Sequence, residues 1–514
     1  MVIRLSFKGN VVLMKSAKRL DSIPSEVFDE FSLEPPLSPG RIVSIKKQSM
    51  TEETDWRSVK VAGVVFFLSM LENTVVGMGE WPYMHQIDAN ATAAFFGTAS
   101  AVSKVGKIIF ALVFSYWTYR TKTVRPPLIA GRLIAFVGCL LYLSVEFLPT
   151  GRRYLMMCCY LLFGIASSSS AVLRVYLVAV STAQDRSRAF ATVALAVTLS
   201  IVAGPVTQLA FSGIKYPGAT ILPHIHFHLY SAPIWIATFV NFASIAVVVT
   251  LLEEKLLSSK PTKKEDEEDE SVFSLEGFKQ KLALLRKSDI AWGLVLLCCM
   301  EKVVTGITPS TLMTVGSPLK MAVFGWDGQK TVRITSITMA ISGIMAILVA
   351  AVFMGSRFTK LVPARISFLF AITISIFFYI GTSPLPGLNQ PLPAYNATTG
   401  DGCNPSAYSW CTTAEGPHPL IYILVSVCVL GIAMPIVHIS LDTVYSKVLQ
   451  NIDQSLMQGL IVAFEDIIMI IGPVYSSNVF TRFGQTPLWI ANGCVTLLGA
   501  LAWLLHLRKL KWYN

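Results

Sequence analysis

The sequence predicts an all-α membrane protein with twelve transmembrane helices in two six-helix bundles, and three observations carry that prediction. The 514 residues are 53% hydrophobic and only 14% charged, against about 25% charged in soluble domains. Apolar runs of about 20 residues, enough to cross a hydrocarbon core at 1.5 Å per residue, recur down the chain. A charged stretch at residues 253–289 divides these runs six and six.

The spans are expected near 59–80, 93–115, 126–148, 154–180, 189–213, 229–252, 290–314, 331–355, 362–382, 419–441, 456–480 and 486–507. Ahead of them, residues 1–57, with Ser, Pro and mixed charges, read as a disordered tail. "MVIRLSFKGNVVLMKSAKRL" breaks its only apolar patch with charges, so no cleavable signal peptide is expected and the first span serves as the insertion signal. The like-charge blocks of residues 253–289 repel one another and predict a solvated linker with one interfacial helix at its end. Residues 58–252 and 290–507 are then the two bundles, and 508–514 a short tail.

The net charge of +11 is explained by its placement. With the N-terminus in the cytosol, 30 of the 42 Lys and Arg fall on the cytosolic side and 7 on the other, so both termini are expected to be cytosolic. The lipid bilayer accounts for the composition, and no nucleic-acid partner is needed.

Gly-Pro-Val occurs twice inside apolar runs, at Gly204-Pro205 and Gly472-Pro473. Proline inside a helix removes a hydrogen bond and costs roughly 3 kcal/mol in a soluble protein. The two pairs sit about fifteen and sixteen residues into the fifth and eleventh spans, equivalent depths in two parallel repeats. Neighbouring helices can re-satisfy the freed carbonyls, and the small glycine lets two helices approach closely.

A chain of six plus six spans around a charged middle loop resembles the major facilitator superfamily. The resemblance implies two bundles rocking about a central site lined by the first, fourth, seventh and tenth helices. A charge in a bilayer costs at least ~2.5 kcal/mol, so ionisable residues on those four helices are the functional candidates. They are Glu72 on the first, Arg174 on the fourth, Glu301 beside Lys302 on the seventh, and His438 with Asp442 on the tenth.

Glu301, near the midplane, is the first choice for carrying a proton, its alternative being a pair with a basic neighbour. Arg174 could attract an anion or simply pair between helices. His438 and Asp442, four residues apart, share a face and could relay protons, although Asp442 lies near the expected helix end and suits an interfacial cap. Lys104 and Lys107 also share a face, at a depth where Glu72 could meet one of them. Glu465 and Asp466 are adjacent and point apart, so at most one is expected inside.

The loop 383–418 holds no Lys or Arg, a glycosylation sequon at Asn396, and the pair Cys403 and Cys411. A glycan and a disulfide both require a non-cytosolic face. The sequon at Asn90 abuts the second span, too close to the membrane for modification. The other seven cysteines lie in apolar spans without metal-ligand spacing, and no phosphate-binding loop or nucleophile elbow occurs. Neither a metal, a cofactor nor an enzymatic activity is therefore expected.

Several motifs narrow the resemblance: "WPYMHQID", "AVLRVY", "VAGPV", the acidic Glu301, the Asn396 sequon with its cysteine pair, "VYSKVL" and "IIGPV". In this order they resemble the lysosomal major facilitator family associated with neuronal ceroid lipofuscinosis, from about Trp56 to the end. That resemblance implies an endolysosomal membrane protein exporting a solute or passing an anion such as chloride, with Arg174, Glu301, Tyr445 and Lys447 at matched positions. Where the family carries an arginine at the start of span four, this chain has Tyr160, leaving Glu72 and Lys104 as the charges that could replace it. No strict acidic dileucine signal occurs in the cytosolic segments, so the lysosomal expectation rests on the resemblance. The expected function is alternating-access transport of a small solute, with proton coupling and an anionic substrate as its finer expectations, and an anion channel on the same fold as the alternative.

Overall fold

The structure is a computed structural model in which residues 3–7, 10–14, 54–182, 185–223, 225–254, 291–355, 362–385, 387, 389–396, 402–449 and 454–513 are described. Residues 1–53 and 54–514 form separate units. In the first, β1 (Ile3–Phe7) pairs antiparallel with β2 (Asn10–Met14), Leu5 opposite Val12. The expected disordered tail therefore begins with a hairpin. Ile3, Leu5 and Phe7 alternate with polar residues, the period of a strand, a signal hidden by the tail's average polarity.

The second unit holds twelve helices long and apolar enough to cross a membrane. They are spans one to six at Trp56–Val76, Ala93–Thr118, Arg125–Phe147, Arg152–Leu177, Thr192–Phe211 and Ala232–Thr250. Spans seven to twelve follow at Trp292–Phe324, Gly328–Phe353, Ala364–Gly381, Pro419–Leu449, Leu460–Phe483 and Gln485–His506. Helix starts follow local chemistry. Asp55 accepts the backbone N–H of Arg57 and Ser58 at the head of span one, and spans three, six and ten carry proline in their first turn.

Four boundaries differ from expectation, and one of them is span seven, which runs to Phe324 rather than 314. Span one ends at Val76, and "WPYMHQID" forms most of a separate short helix, Glu80–Ile87, after the turn containing Gly77 and Gly79. Span four breaks at Ser168 and Ser169, where successive serine hydroxyls bond to carbonyls one turn back. Span ten runs to Leu449 through a π turn at Val429–Ala433, which places Asp442 inside the helix. The expected linker lies outside the described residues from 255 to 290. Glu253 and Glu254 belong to the first bundle, the Glu254 carboxylate accepting from Val124 and Arg125 N–H at 3.0 and 2.8 Å.

The two Gly-Pro pairs explain how the bundles are built. Gly204 packs on Thr74 of span one, and Gly472 on Ser310 of span seven, so closely that a Cβ at either position would fall within 3 Å of the hydroxyl side chain. Thr74 and Ser310 each lie eighteen residues after the tryptophan that opens their helix, and Gly204 and Gly472 eighteen after the first residue of theirs. The repeat is therefore exact in register at its tightest contact. Thr74 Oγ1 also donates to Ser200 O at 2.9 Å, beside the carbonyl that Pro205 frees.

Between the bundles, Gly97 of span two meets Pro473 and Ser477 of span eleven, and Gly343 of span eight meets Val202 of span five. The buried core shows which end is closed. At the end carrying the Cys403–Cys411 loop, one apolar cluster draws on both bundles, including Trp81, Phe96, Leu319 and Phe480. The remaining buried residues form two separate clusters, one around Phe66 and Val172 in the first bundle and one around Phe368 and Val444 in the second. The halves therefore share one apolar core at the disulfide end, and away from it they meet along spans two with eleven and five with eight.

Gly204→Leu and Gly472→Leu should each destabilise the protein by roughly 1–3 kcal/mol through overpacking. Thermal denaturation in detergent checks this, and a Gly293→Leu control, at a position with open space around the glycine, should leave the midpoint unchanged.

Candidate functional site

A cavity of about 350 Å³ lies between the bundles. Span one contributes Glu72 and Thr74, span two Ser100 and Lys104, span four Tyr160, span seven Ser310, Thr314 and Lys320, and span ten Tyr422. All four helices implied by the resemblance border it, joined by spans two, eight and eleven and by Glu80 of the short helix after span one.

Glu72 does reach the interior, but its partner corrects the expectation. Arg132 Nη1 of span three lies 2.8 Å from Glu72 Oε2, both side chains fully buried, and Lys104 and Lys107 are not its partners. The Arg132 guanidinium also donates to Asn241 Oδ1 and to Ala166 O, at the serine break in span four. Arg132 stands on span three, a helix from which the sequence reading takes no candidate. An arginine inside an apolar run is itself the available signal.

Lys104 instead has Glu80 and, across the bundle interface, Asp466 of span eleven as its oppositely charged neighbours. More than a third of its side chain is open although protein surrounds it, because it faces the cavity. Burial pushes the Glu80 carboxyl up to about 7, against the pull of the Lys104 ammonium. Glu80 was not anticipated, since it was counted with the span end.

Glu301 is buried, but it is absent from the cavity lining. Its carboxylate lies where a Cβ on Gly499 of span twelve would touch it, and its Oε2 has no hydrogen-bond partner. The neighbouring Lys302 turns the other way. Its Nζ lies 3.2 Å from His438 Nδ1, 3.4 Å from Asp442 Oδ1 and 3.3 Å from Glu465 Oε2. His438 and Asp442 thus share a face as expected, but a lysine joins them, and Asp442 is no terminal cap. Of the adjacent pair Glu465 and Asp466, Glu465 makes the ion pair with Lys302, and Asp466 acts on Lys104 only through its charge. Arg174 is exposed and carries no hydrogen bond or ion pair among the described residues. Tyr445 is buried and donates to Met457 O at 2.6 Å, while Lys447 is exposed.

At the disulfide end a second cluster was unforeseen. Glu146 accepts from Tyr83 OH at 3.1 Å and lies 2.6 Å from His226 Nδ1 and 3.4 Å from His228 Nε2. His226 sits on β4 (Ile225–Phe227), paired with β3 (Ala219–Leu222). Tyr83 packs on Tyr230, whose hydroxyl abuts Gly328 at the start of span eight, and Gln329 Nε2 donates to Ser212 O at 2.8 Å. The Cys403–Cys411 disulfide is present. Its loop is held down by the Trp410 indole donating to Phe480 O at 3.0 Å, and Asn396 is exposed.

Residues 62–413 match the family described as Major Facilitator Superfamily. The chain is 24% identical over 500 residues to Major facilitator superfamily domain-containing protein 8 of Xenopus laevis, covering 91% of this chain and 93% of the relative. Among solved structures, it is similar in fold to a D-xylose-proton symporter (TM-score 0.58, 12% identity, 86% of this chain, 96% of the other). It is similarly close to a bacterial homologue of the human lysosomal transporter Spinster, captured inward-facing and occupied (TM-score 0.58, 11% identity, 88% of this chain, 96% of the other).

Two outcomes follow from the charges. Glu72→Ala leaves Arg132 buried and unpaired and should cost about 3–5 kcal/mol. The Glu72→Ala/Arg132→Ala pair should cost less than the sum of the single variants, read from thermal midpoints in a double-mutant cycle. Glu80 supplies a pH signature. Its folded value near 7 exceeds the ordinary 4.5, so the folded state holds a proton that the unfolded state releases. Stability should fall as pH rises from 4.5 to 7 and level off above, and Glu80→Gln should flatten the midpoint across that window.

Proposed function

As the chain belongs to the major facilitator superfamily, we propose that it carries a small solute across an endolysosomal membrane by alternating access, coupled to protons, and that it is a carrier rather than an enzyme. The observation that carries this reading is the cavity between two bundles that are joined by a continuous core at one end only. That is the geometry of one half of a rocking cycle. With the disulfide loop on the lumenal side, where a sequon and a disulfide belong, the cavity is closed to the lumen, and both termini lie in the cytosol.

Proton coupling is assigned to Glu80 and Lys104. Glu80 borders the cavity with its carboxyl held near neutrality, and Lys104 bridges by charge to Asp466 of the other bundle. Protonation of Glu80 releases Lys104 toward Asp466 and so links a proton to the bundle interface. Glu301, off the cavity against span twelve, lies outside this scheme. The Lys302 cluster, with exposed His438 and Asp442, lines the cytosolic approach together with Arg174. The channel reading is the weaker one, since a conducting pore needs a path through the welded end and the similar solved structures are those of transporters.

Purified protein in liposomes tests this. An inward-directed pH gradient should drive electrically silent proton flux, lost in Glu80→Gln. A chloride current that persists without a gradient and falls in Arg174→Ala would replace the carrier by a channel.

A further inference from the structure

One cation in the cavity lining, Lys320, has no oppositely charged neighbour among the described residues. Lys320 of span seven is buried, and its single hydrogen bond is from Nζ to Thr335 Oγ1 of span eight at 2.8 Å. No carboxylate among the described residues pairs with it. The other charges in the lining have opposite charges near them, Glu72 in an ion pair with Arg132 and Lys104 in the field of Glu80 and Asp466. A buried, unpaired ammonium is costly enough that proteins rarely keep one without a ligand or partner for it.

Three further buried groups border the same space without a partner: the hydroxyls of Tyr160, Tyr422 and Ser310. Each can both donate and accept. They come from spans four, ten and seven, so both bundles present an empty hydroxyl to the cavity. The remaining lining includes Phe96, Phe163, Met313 and Met339, which excludes a second strongly charged group from those walls.

We propose that the cavity binds a small hydroxylated monocarboxylate, its carboxylate on Lys320 Nζ and its hydroxyls on Tyr160, Tyr422 and Ser310. A single uncompensated positive charge selects a monoanion over a dianion, and three unsatisfied hydroxyls select a polyol body over an apolar one. Neutral sugars satisfy the hydroxyls but leave the ammonium bare. Phosphate monoesters bring about −1.5 to −2 charges at pH 7 and leave a surplus in an apolar wall. The proposal rests on the carrier reading of this cavity and deepens it by naming the class of solute.

The test uses the full-length protein in detergent, with thermal midpoint as the binding readout. The probes are D-glycerate, D-gluconate and D-glucuronate, set against D-glucose, glycerol 3-phosphate and sodium chloride. At least one of the three monocarboxylates should raise the midpoint saturably. Half-saturation should weaken at least tenfold in Lys320→Gln, less in Lys320→Arg, and severalfold in Tyr422→Phe, a variant that preserves packing. No shift with any of the three, an equal shift with glucose, glycerol 3-phosphate or chloride, or a shift unchanged in Lys320→Gln and Tyr422→Phe would overturn the proposal. Counterflow in liposomes separates this failure from that of the carrier reading. Lys320-dependent binding without counterflow would sustain the anion site and remove the carrier, whereas counterflow of glucose independent of Lys320 would do the reverse.

Discussion

Much of the architecture depends on how closely span one can approach span five, and span seven span eleven. Gly204 and Gly472 remove the side chain at the contact, and Thr74 and Ser310 fill the notch. In a bilayer, helices gain little from burying apolar surface against each other, because lipid is as apolar as leucine. Close contact and local polar bonds have to supply the difference. Spans one and seven are also two walls of the cavity, so the tightest packing in each bundle fixes the position of the lining side chains. Pro205 is tolerated beside Gly204 because a hydroxyl from the facing helix reaches the backbone there, Thr74 donating to Ser200 O.

The same economy governs charge. Apart from Glu301 and Lys320, the charged groups traced in the interior answer one another across helices rather than along them. Arg132 ties spans one, three, four and six together, and Lys302 ties seven, ten and eleven. Each bundle thus has one basic residue acting as a hub, and the hubs lie on different helices of the two repeats. Backbone register has survived the duplication, while polar chemistry has diverged.

Much of the fold was legible in the sequence because bilayer thickness imposes a length on every apolar run, and all twelve spans stand close to where that length put them. What was not legible had local causes. The break at Ser168–Ser169 comes from hydroxyls that compete with the helix ladder, which average hydropathy does not register. Glu72 could be placed in the interior by its cost, but its partner depends on helix rotation, and Arg132 and Lys104 are indistinguishable from spacing alone. Lys320 falls beyond residue 314, where a span of conventional length would end. At 33 residues the helix is longer than a bilayer requires, and it carries that lysine along a continuous helix to the cavity.

The closure at the disulfide end combines an apolar seam with a polar contact. Gln329 donates to the Ser212 carbonyl across the bundles, with the Tyr230 hydroxyl lodged against Gly328 beside it. One such bond contributes about 1 kcal/mol net, not far above thermal energy. The resistance to parting is then mostly the apolar seam of Trp81, Phe96, Leu319 and Phe480, a contact that slides without a defined breaking point. Mechanically this makes the latch soft. Its opening frequency would track temperature and membrane composition more than ionic strength, and the occupant of the cavity, rather than the latch, would hold the timing of each cycle.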